Sequence, residues 1–370
     1  MIPRIAIATA DWPGIQGGGV GALMATLALG LQRCGADVTV FTRGGGPRAA
    51  LLAQAQGLQG WPGLDASVVG LPGRSWARWG HWHWRRGLRG RMDPFDGLIV
   101  ARHDELPGVL PTLPAGLPVA VFAHGRDITA SLPPARERIR ARSLRAPVRW
   151  LCLTRWMQAE LASRGVPDGL RVPTAVPSGP ATPLGHGILS VGRLVPRKGH
   201  DVLLQALARM ERAVPLVIVG EGPERARLEA LAQRLGVADR VGITGWLSAA
   251  EVERRWADAG VFALPCRTEP DGDTEGFGLV FLEAAARGRP CIAGGEGGAT
   301  EAIQHGHSGL LLQDPRDPEA LARALDRLLG DPALAAAQGA AGQAAWSDGG
   351  RPEHLGAAVL EALGLASGAP

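Results

Sequence analysis

The chain has 370 residues, more than the ~100–200 of an ordinary single domain, so two domains are expected. Hydrophobic residues make up 46% of it and the net charge is only +4, which excludes a disordered polyelectrolyte and makes nucleic acid a poor partner. No uncharged apolar run reaches the ~18 residues of a bilayer span, and the opening IPRIAIATA reads as a strand rather than a secretion signal.

Strand and helix patterns alternate from the start. Strands are expected at 3–9, 37–42, 66–70, 96–101, 118–123 and 149–153, and helices at 20–34, 133–145 and 155–164. Gly17, Gly18 and Gly19 join the first strand to the first helix, a turn whose bare backbone donors suit a phosphate. The spacing is not GxGxxG, and the second strand ends on Thr42 and Arg43 instead of an acid, which counts against NAD. His124 follows a strand at the edge where parallel sheets bind ligands. Cys34, Cys152, Cys266 and Cys291 lie far apart with no zinc-ligand spacing, the usage of a reducing cytosol.

The segment RSWARWGHWHWRRGLRGR (74–91) contains Trp76, Trp79, Trp82 and Trp84. As a helix it would gather Arg74, Arg78, Arg85 and Arg89 within an arc of about 60°. Cations beside indoles suit an anionic membrane surface, which would make the chain a cytoplasmic protein peripheral on the inner face of the cell membrane. The plainer alternative is a solvated loop whose tryptophans cover the core.

A Pro- and Gly-rich break, PTAVPSGPATPLG (173–185), separates two domains, 1–178 and 179–350. Residues 351–370 are expected to form a terminal helix packing back on the first domain. After the break, strands are expected at 187–191, 215–220, 240–244, 260–264, 289–293 and 309–312, with helices at 200–210, 223–235, 248–257, 278–287, 299–304 and 317–329. The expected fold is α/β: two Rossmann-like doubly wound units facing a cleft.

Three runs in the second half carry chemistry. In TEGFGLVFLEAAARGRPCIAGGEGGATEAI (274–303), Glu275 precedes a glycine-punctuated helix start and Glu283 lies inside the helix. Were the whole run helical, ~1.5 Å per residue would hold the two backbones ~12 Å apart. That exceeds the ~5–9.5 Å of a glycosidase carboxyl pair, so the two acids read either as gripping different parts of one extended ligand or as a helix cap and a surface glutamate. In VGRLVPRKG (191–199), Arg193 and Lys198 follow a strand end, where two cations suit a diphosphate. Asp271-Gly272-Asp273 has the form of a metal motif but also reads as an ordinary turn.

Taken together, these residues resemble glycosyltransferase family 4, the retaining transferases of GT-B architecture, over most of the chain and most specifically from 187 to 329. The residues that carry the resemblance are Gly192-Arg193-Leu194 with Lys198-Gly199, VGEGPER (219–225, with Gly222), EGFGLVFLEA (275–284), GGATE (297–301) and SGLLL (308–312). The resemblance implies that Arg193 and Lys198 neutralise the diphosphate of a nucleotide-sugar donor, with no metal or other cofactor. It assigns Glu283 to the ribose, Glu275 to the transferred sugar, and the backbone of Phe277, Gly278 and Leu279 to phosphate or sugar. It also places Gly18 and Gly19 beside the phosphates, His124 at a sugar hydroxyl, and Glu301 at the edge of the donor site. The acceptor would be a glycan or a polyprenyl- or lipid-linked glycan of bacterial envelope polysaccharide or lipopolysaccharide synthesis. The family's Asn-Gly-Val-Asp run is missing, with VPTAVPSG (172–179) in its place. A degenerate sugar- or nucleotide-binding relative is the alternative; the donor sugar, its base and the linkage stay open.

Overall fold

A computed structural model describes residues 2–12, 18–43, 63–71, 80–176, 182–347 and 350–365. They form two compact units: Met1–Ala175 with Arg351–Pro370, and Val176–Gly350.

Among the described residues, unit 1 holds a seven-stranded sheet. Its strands are β1 (Arg4–Thr9), β2 (Asp37–Arg43), β3 (Ser67–Leu71), β4 (Gly97–Val100), β5 (Val119–Phe122), β6 (Arg149–Cys152) and β7 (Leu170–Arg171), in the order β3-β2-β1-β4-β5-β6-β7. Every pairing is parallel. Ile5, Ala6, Ile7 and Ala8 of β1 are all fully buried. A central strand covered on both faces reads as such a continuous apolar run, not as an alternation.

Unit 2 repeats the plan with β8 (Gly187–Val191), β9 (Leu216–Val219), β10 (Val241–Gly245), β11 (Ala259–Leu264), β12 (Cys291–Gly294) and β13 (Gly309–Leu312), in the order β10-β9-β8-β11-β12-β13. These pairings are parallel too. In each unit the strand order reverses once, between β1 and β4 and between β8 and β11. Loops leaving the carboxyl ends of those strands diverge there, and the crevice they leave is where open α/β sheets take ligands.

Local signals set the helix starts. Thr154 accepts a bond from Met157 N (3.1 Å), Ser248 and Glu251 form a reciprocal capping box, and Asp317 accepts from Glu319 N and Ala320 N. The helix Pro352–Ala362 returns to unit 1 and packs on the helix Gly19–Arg33. The two backbones touch: a Cβ on Gly30 would stand 2.0 Å from Pro352 O, and one on Gly356 2.4 Å from the Gly30 carbonyl carbon. Arg33 Nη1 pairs with Glu353 Oε1 (2.8 Å) at the rim of this crossing.

The units divide at Ala175 and Val176, inside the Pro- and Gly-rich stretch 173–185; residues 177–181 lie outside the described residues. Three expectations change. The stretch expected as a helix at 299–304 is a 3-10 turn, Gly297–Glu301, too rich in glycine to propagate further. β12 starts at Cys291, not 289, because Pro290 has no N–H and the buried Arg289 side chain is spent on the carbonyls of Thr182, Pro183 and Ala259. Residues 80–88 do form a helix, but Trp84 is fully buried in the unit 1 core beside Leu88, so its indole is not a surface group. Arg74, Trp76, Arg78 and Trp79 lie outside the described residues, as does the Trp82 side chain. Among the described residues no helix is long and apolar enough to cross a membrane.

Candidate active site

The loop after β8 is shaped by three glycines. Gly192 N bonds Val219 O (2.9 Å), and Leu194 N bonds Glu221 O (2.9 Å). A Cβ on Gly220 would lie 2.0 Å from Gly192 O, and one on Gly222 2.3 Å from Leu194 O. The glycines of VGEGPER therefore let the loop after β9 lie flat against the 192–194 loop. Gly222 does its packing there, and this is what the structure shows of it. Gly192 leaves room for the Lys198 stem, whose Cε would meet a Cβ at 3.5 Å.

Pro196–Lys198 forms a single 3-10 turn closed by Gly199 in the left-handed conformation (φ 70°). A Cβ on Gly199 would stand 2.2 Å from Pro265 O, and Arg267 N bonds Arg197 O (2.9 Å). The glycine after the lysine thus lets the loops after β8 and β11 meet. Their meeting places Lys198 Nζ 2.6 Å from Glu275 Oε2. Both side chains are largely buried, at 10% and 14% exposure. Burial pushes the Glu275 carboxyl up, but Lys198 and then Arg197 outweigh it and hold it below the ordinary carboxylate range. Arg193 lies on the same loop with its side chain exposed.

Glu275 is locked from the other side. Gly298 N bonds Glu275 O (2.9 Å), and a Cβ on Gly298 would lie 1.8 Å from Gly276 O. The turn Gly297–Glu301 therefore presses directly on the Glu275 loop, while the Glu301 side chain is exposed at its far end. Gly278, left-handed at φ 83°, opens the helix Leu279–Ala286. The helix start that follows carries partial positive charge on its free N–H groups, and a Cβ on Gly278 would lie 3.6 Å from Glu275 Cγ. Phe277 is 8% exposed, its ring edge-on to Trp346 at 6.3 Å, so only its backbone is available. Glu275 stands ahead of this helix, so the run 275–283 is not one helix. Glu283 sits inside the helix, and burial raises its carboxyl above the usual range, opposed by Arg287 and Lys198 and reinforced by Glu253.

Arg197, which no motif singled out, and Asp273, read from the sequence only as part of a metal-like motif or a turn, complete the cluster. Arg197 Nη1 is 3.5 Å from Asp273 Oδ2, and its Nε is 3.7 Å from Glu275 Oε2. A cation directly before Lys198 and two acids two residues apart were signals in the sequence, but nothing in either run says that they meet. Asp271 Oδ1 accepts from Asp273 N (3.0 Å) and Gly272 is left-handed, so this acidic pair forms a turn, with Asp273 facing Arg197.

Unit 1 carries the remaining expected residues on separate loops. Gly18 adopts φ 150°, ψ 171°, a conformation open only to glycine, and with Gly19 starts the helix Gly19–Arg33 without a side-chain cap. Gly17 lies outside the described residues. His124 follows β5, and its Nε2 is 2.7 Å from Ala101 O. A carbonyl only accepts, so Nε2 carries a proton. Asp127 Oδ1 accepts from the N–H groups of His124 (3.0 Å) and Gly125 (2.9 Å), and its Oδ2 is 3.6 Å from His103 Nδ1. Burial alone would raise the Asp127 carboxyl; His103, His124 and Arg102 instead hold it at about 2.

A family model described as Glycosyl transferases group 1 matches residues 186–345, and one described as Glycosyltransferase Family 4 matches residues 17–176. A GDP-mannose-dependent alpha-(1-6)-phosphatidylinositol monomannoside mannosyltransferase of Mycolicibacterium smegmatis is 43% identical over 180 residues, 48% of this chain and 47% of that protein. The chain thus spans about half the length of the curated relatives it matches. Among solved structures, sucrose-phosphate synthase from Thermosynechococcus elongatus superposes with a TM-score of 0.78 at 20% identity, covering 97% of this chain and 98% of that one. An Anabaena protein, HepE, in complex with UDP and glucose gives 0.77 at 19% identity, covering 98% and 100%. Both likenesses are of fold.

Proposed function

We propose, on the premise that this chain belongs to glycosyltransferase family 4 and has the GT-B fold, that it moves a hexosyl group from a nucleotide-diphosphate sugar to a glycolipid or glycan acceptor with retention at the anomeric carbon. GDP-mannose is the first donor to test, because the M. smegmatis relative is named for it. One observation carries the reading: the Lys198–Glu275 pair at 2.6 Å, formed where the β8 and β11 loops meet at the switch point.

Breaking the bond from the anomeric carbon to the diphosphate oxygen puts negative charge on the leaving phosphate. Arg193, Lys198 and the N–H groups at the start of helix Leu279–Ala286 are positive partners for it, already on the diphosphate of a bound donor before the charge develops. Side-chain cations then do the work of a divalent metal, and transfer should proceed at full rate in a chelator. Glu275 takes the hydroxyls of the transferred sugar and Glu283 those of the ribose. The Nδ1 lone pair of His124 accepts from a sugar hydroxyl, and Gly18 and Gly19 offer backbone donors to phosphate. With retention the acceptor enters on the face the diphosphate leaves, and a phosphate oxygen takes its proton. An enzyme acting on a membrane glycolipid would work at the inner face of the cell membrane. Within 74–91, Arg85, Arg89 and Arg91 are exposed cations for that contact, to be checked by binding to anionic vesicles at low salt.

A thermal-shift panel of GDP, UDP, ADP and their sugars tests the donor. A nucleotide at 100 times its dissociation constant adds ~2.7 kcal/mol. With the donor in hand, Arg193→Ala and Lys198→Ala should each lower turnover at least about a hundredfold. Near-normal turnover in both would end this reading, and binding without donor hydrolysis or transfer would favour a degenerate binder.

A further inference from the structure

Lys198 is the only lysine in the sequence; arginine supplies every other basic side chain counted with it. It sits in a cluster whose charges cancel, with Arg197 and Lys198 facing Asp273 and Glu275. The two cations differ in kind. Arg197 is a planar fork between two carboxylates, buried to 14% exposure, with its backbone carbonyl bonded to Arg267 N. Lys198 is a compact charge on a flexible stem, able to turn from one oxygen to another. Its contact with Glu275 Oε2 is short but oblique, and neither Glu275 Oε2 nor Arg197 Nε makes a well-directed hydrogen bond. The pair is an electrostatic contact, not a saturated hydrogen-bond network.

We propose that Arg197 is a positioning residue that holds Glu275 and Asp273 in place when Lys198 leaves Glu275 for the diphosphate of the donor. The inference rests on the donor reading given above. In the free protein Lys198 neutralises Glu275. An arriving diphosphate competes for the lysine, and its departure would strand a buried carboxylate were no second cation present. Arg197 is that cation, already within ion-pair reach of the same oxygen. Without it, Lys198 alone faces two carboxylates and releases them only when Glu275 takes up a proton.

The groups around Glu275 make this readable by pH. Lys198 and Arg197 face it from the β8 loop and Cys266 from the end of β11, while Asp273 shares its loop and pairs with Arg197; Glu283 and His200 act on Lys198 from their helices. Burial, opposed by Lys198, leaves the Cys266 thiol at about 12, and burial with Lys198 pushes His200 down to about 4, so neither titrates between pH 5 and 8. Glu283 stands in every variant alike, so the ratio of variant to wild-type affinity cancels it.

The test measures GDP and UDP affinity from pH 5 to 8 for the wild type, Arg197→Met and Arg197→Lys, with acetylation of the wild type's single lysine read by peptide mass. In the wild type, the nucleotide that binds should slow acetylation of Lys198 at least about fivefold. Arg197→Met should weaken binding at least about tenfold at pH 7.5, with the loss shrinking toward pH 5 as Glu275 protonates. Arg197→Lys should restore a pH-independent ratio near one. A side chain that only supports the fold would lower affinity equally at every pH. Should Arg197→Met not fold, Arg197→Gln carries the same expectation. If neither nucleotide protects Lys198, the donor reading fails and this inference falls with it. If protection is seen but the Arg197→Met ratio does not change with pH, the role of Arg197 alone is overturned.

Discussion

Asp127 ties the His124 loop together through its charge. It accepts two backbone N–H bonds, lies 3.6 Å from His103, and its carboxyl is held at about 2 against ~3.9 in an unfolded chain. A depressed carboxyl contributes stability that is complete above the unfolded value and is lost as pH falls toward the folded one. With its side chain only 9% exposed, a shift of this size corresponds to on the order of 2 kcal/mol. Asp127→Asn should therefore lower the urea midpoint clearly at pH 7, and the gap to the wild type should narrow through pH 4 toward pH 2. An equal gap at pH 7 and pH 3 would show that the amide itself, not the charge, is what the loop cannot accept. The same residue marks a limit of sequence reading. His124 was legible from its place after a strand, whereas its proton location depends on Ala101 O, a carbonyl supplied by a neighbouring strand end. Likewise Lys198 and Glu275 were each legible, but their contact follows from β8 and β11 being neighbours, which no local pattern states.

Strands with apolar runs between Gly and Pro breaks were legible to within a residue or two, as β8 and β13 show. The helix Pro332–Ser347, PALAAAQGAAGQAAWS, was not expected, because its alanines give almost no contrast between a buried and an exposed face. The turn Gly297–Glu301 was misread for the opposite reason: its pattern is short and its glycines serve contacts, not propagation. At this scale the crossing of Gly19–Arg33 with Pro352–Ala362 is the most exacting contact, since glycine meets backbone on both sides. Gly356→Ala should cost about 1–3 kcal/mol by overpacking. Gly242→Ala is the control: nothing lies within 4 Å of its Cβ, so it should stay within ~0.5 kcal/mol of the wild type. Urea melts of the two variants decide this; equal midpoints would mean that the helices separate without cost.

Each unit has its own parallel sheet, and unit 2 is one continuous stretch, Val176–Gly350, with a core of its own. Residues 176–350 expressed alone should unfold cooperatively and bind the same nucleotide as the full chain within about tenfold, yet transfer no sugar, since the residues proposed above to meet the sugar and its phosphates, His124, Gly18 and Gly19, belong to unit 1. Calorimetry and nucleotide titration of the fragment check this, and a fragment that melts without cooperativity would contradict it. Residues 1–175 alone lack the helix that covers Gly19–Arg33 and should be markedly less stable than the same unit in the full chain.

The return of Pro352–Ala362 to unit 1 also orders events in time. A ribosome delivers most of unit 1, then all of unit 2, and only then the piece that closes unit 1. Unit 2 can settle as soon as it emerges, whereas unit 1, made before it, waits with an apolar helix face uncovered for a segment made after it. Of the two units, the one begun first is therefore the one closed second, and chaperone capture during translation should concentrate on it.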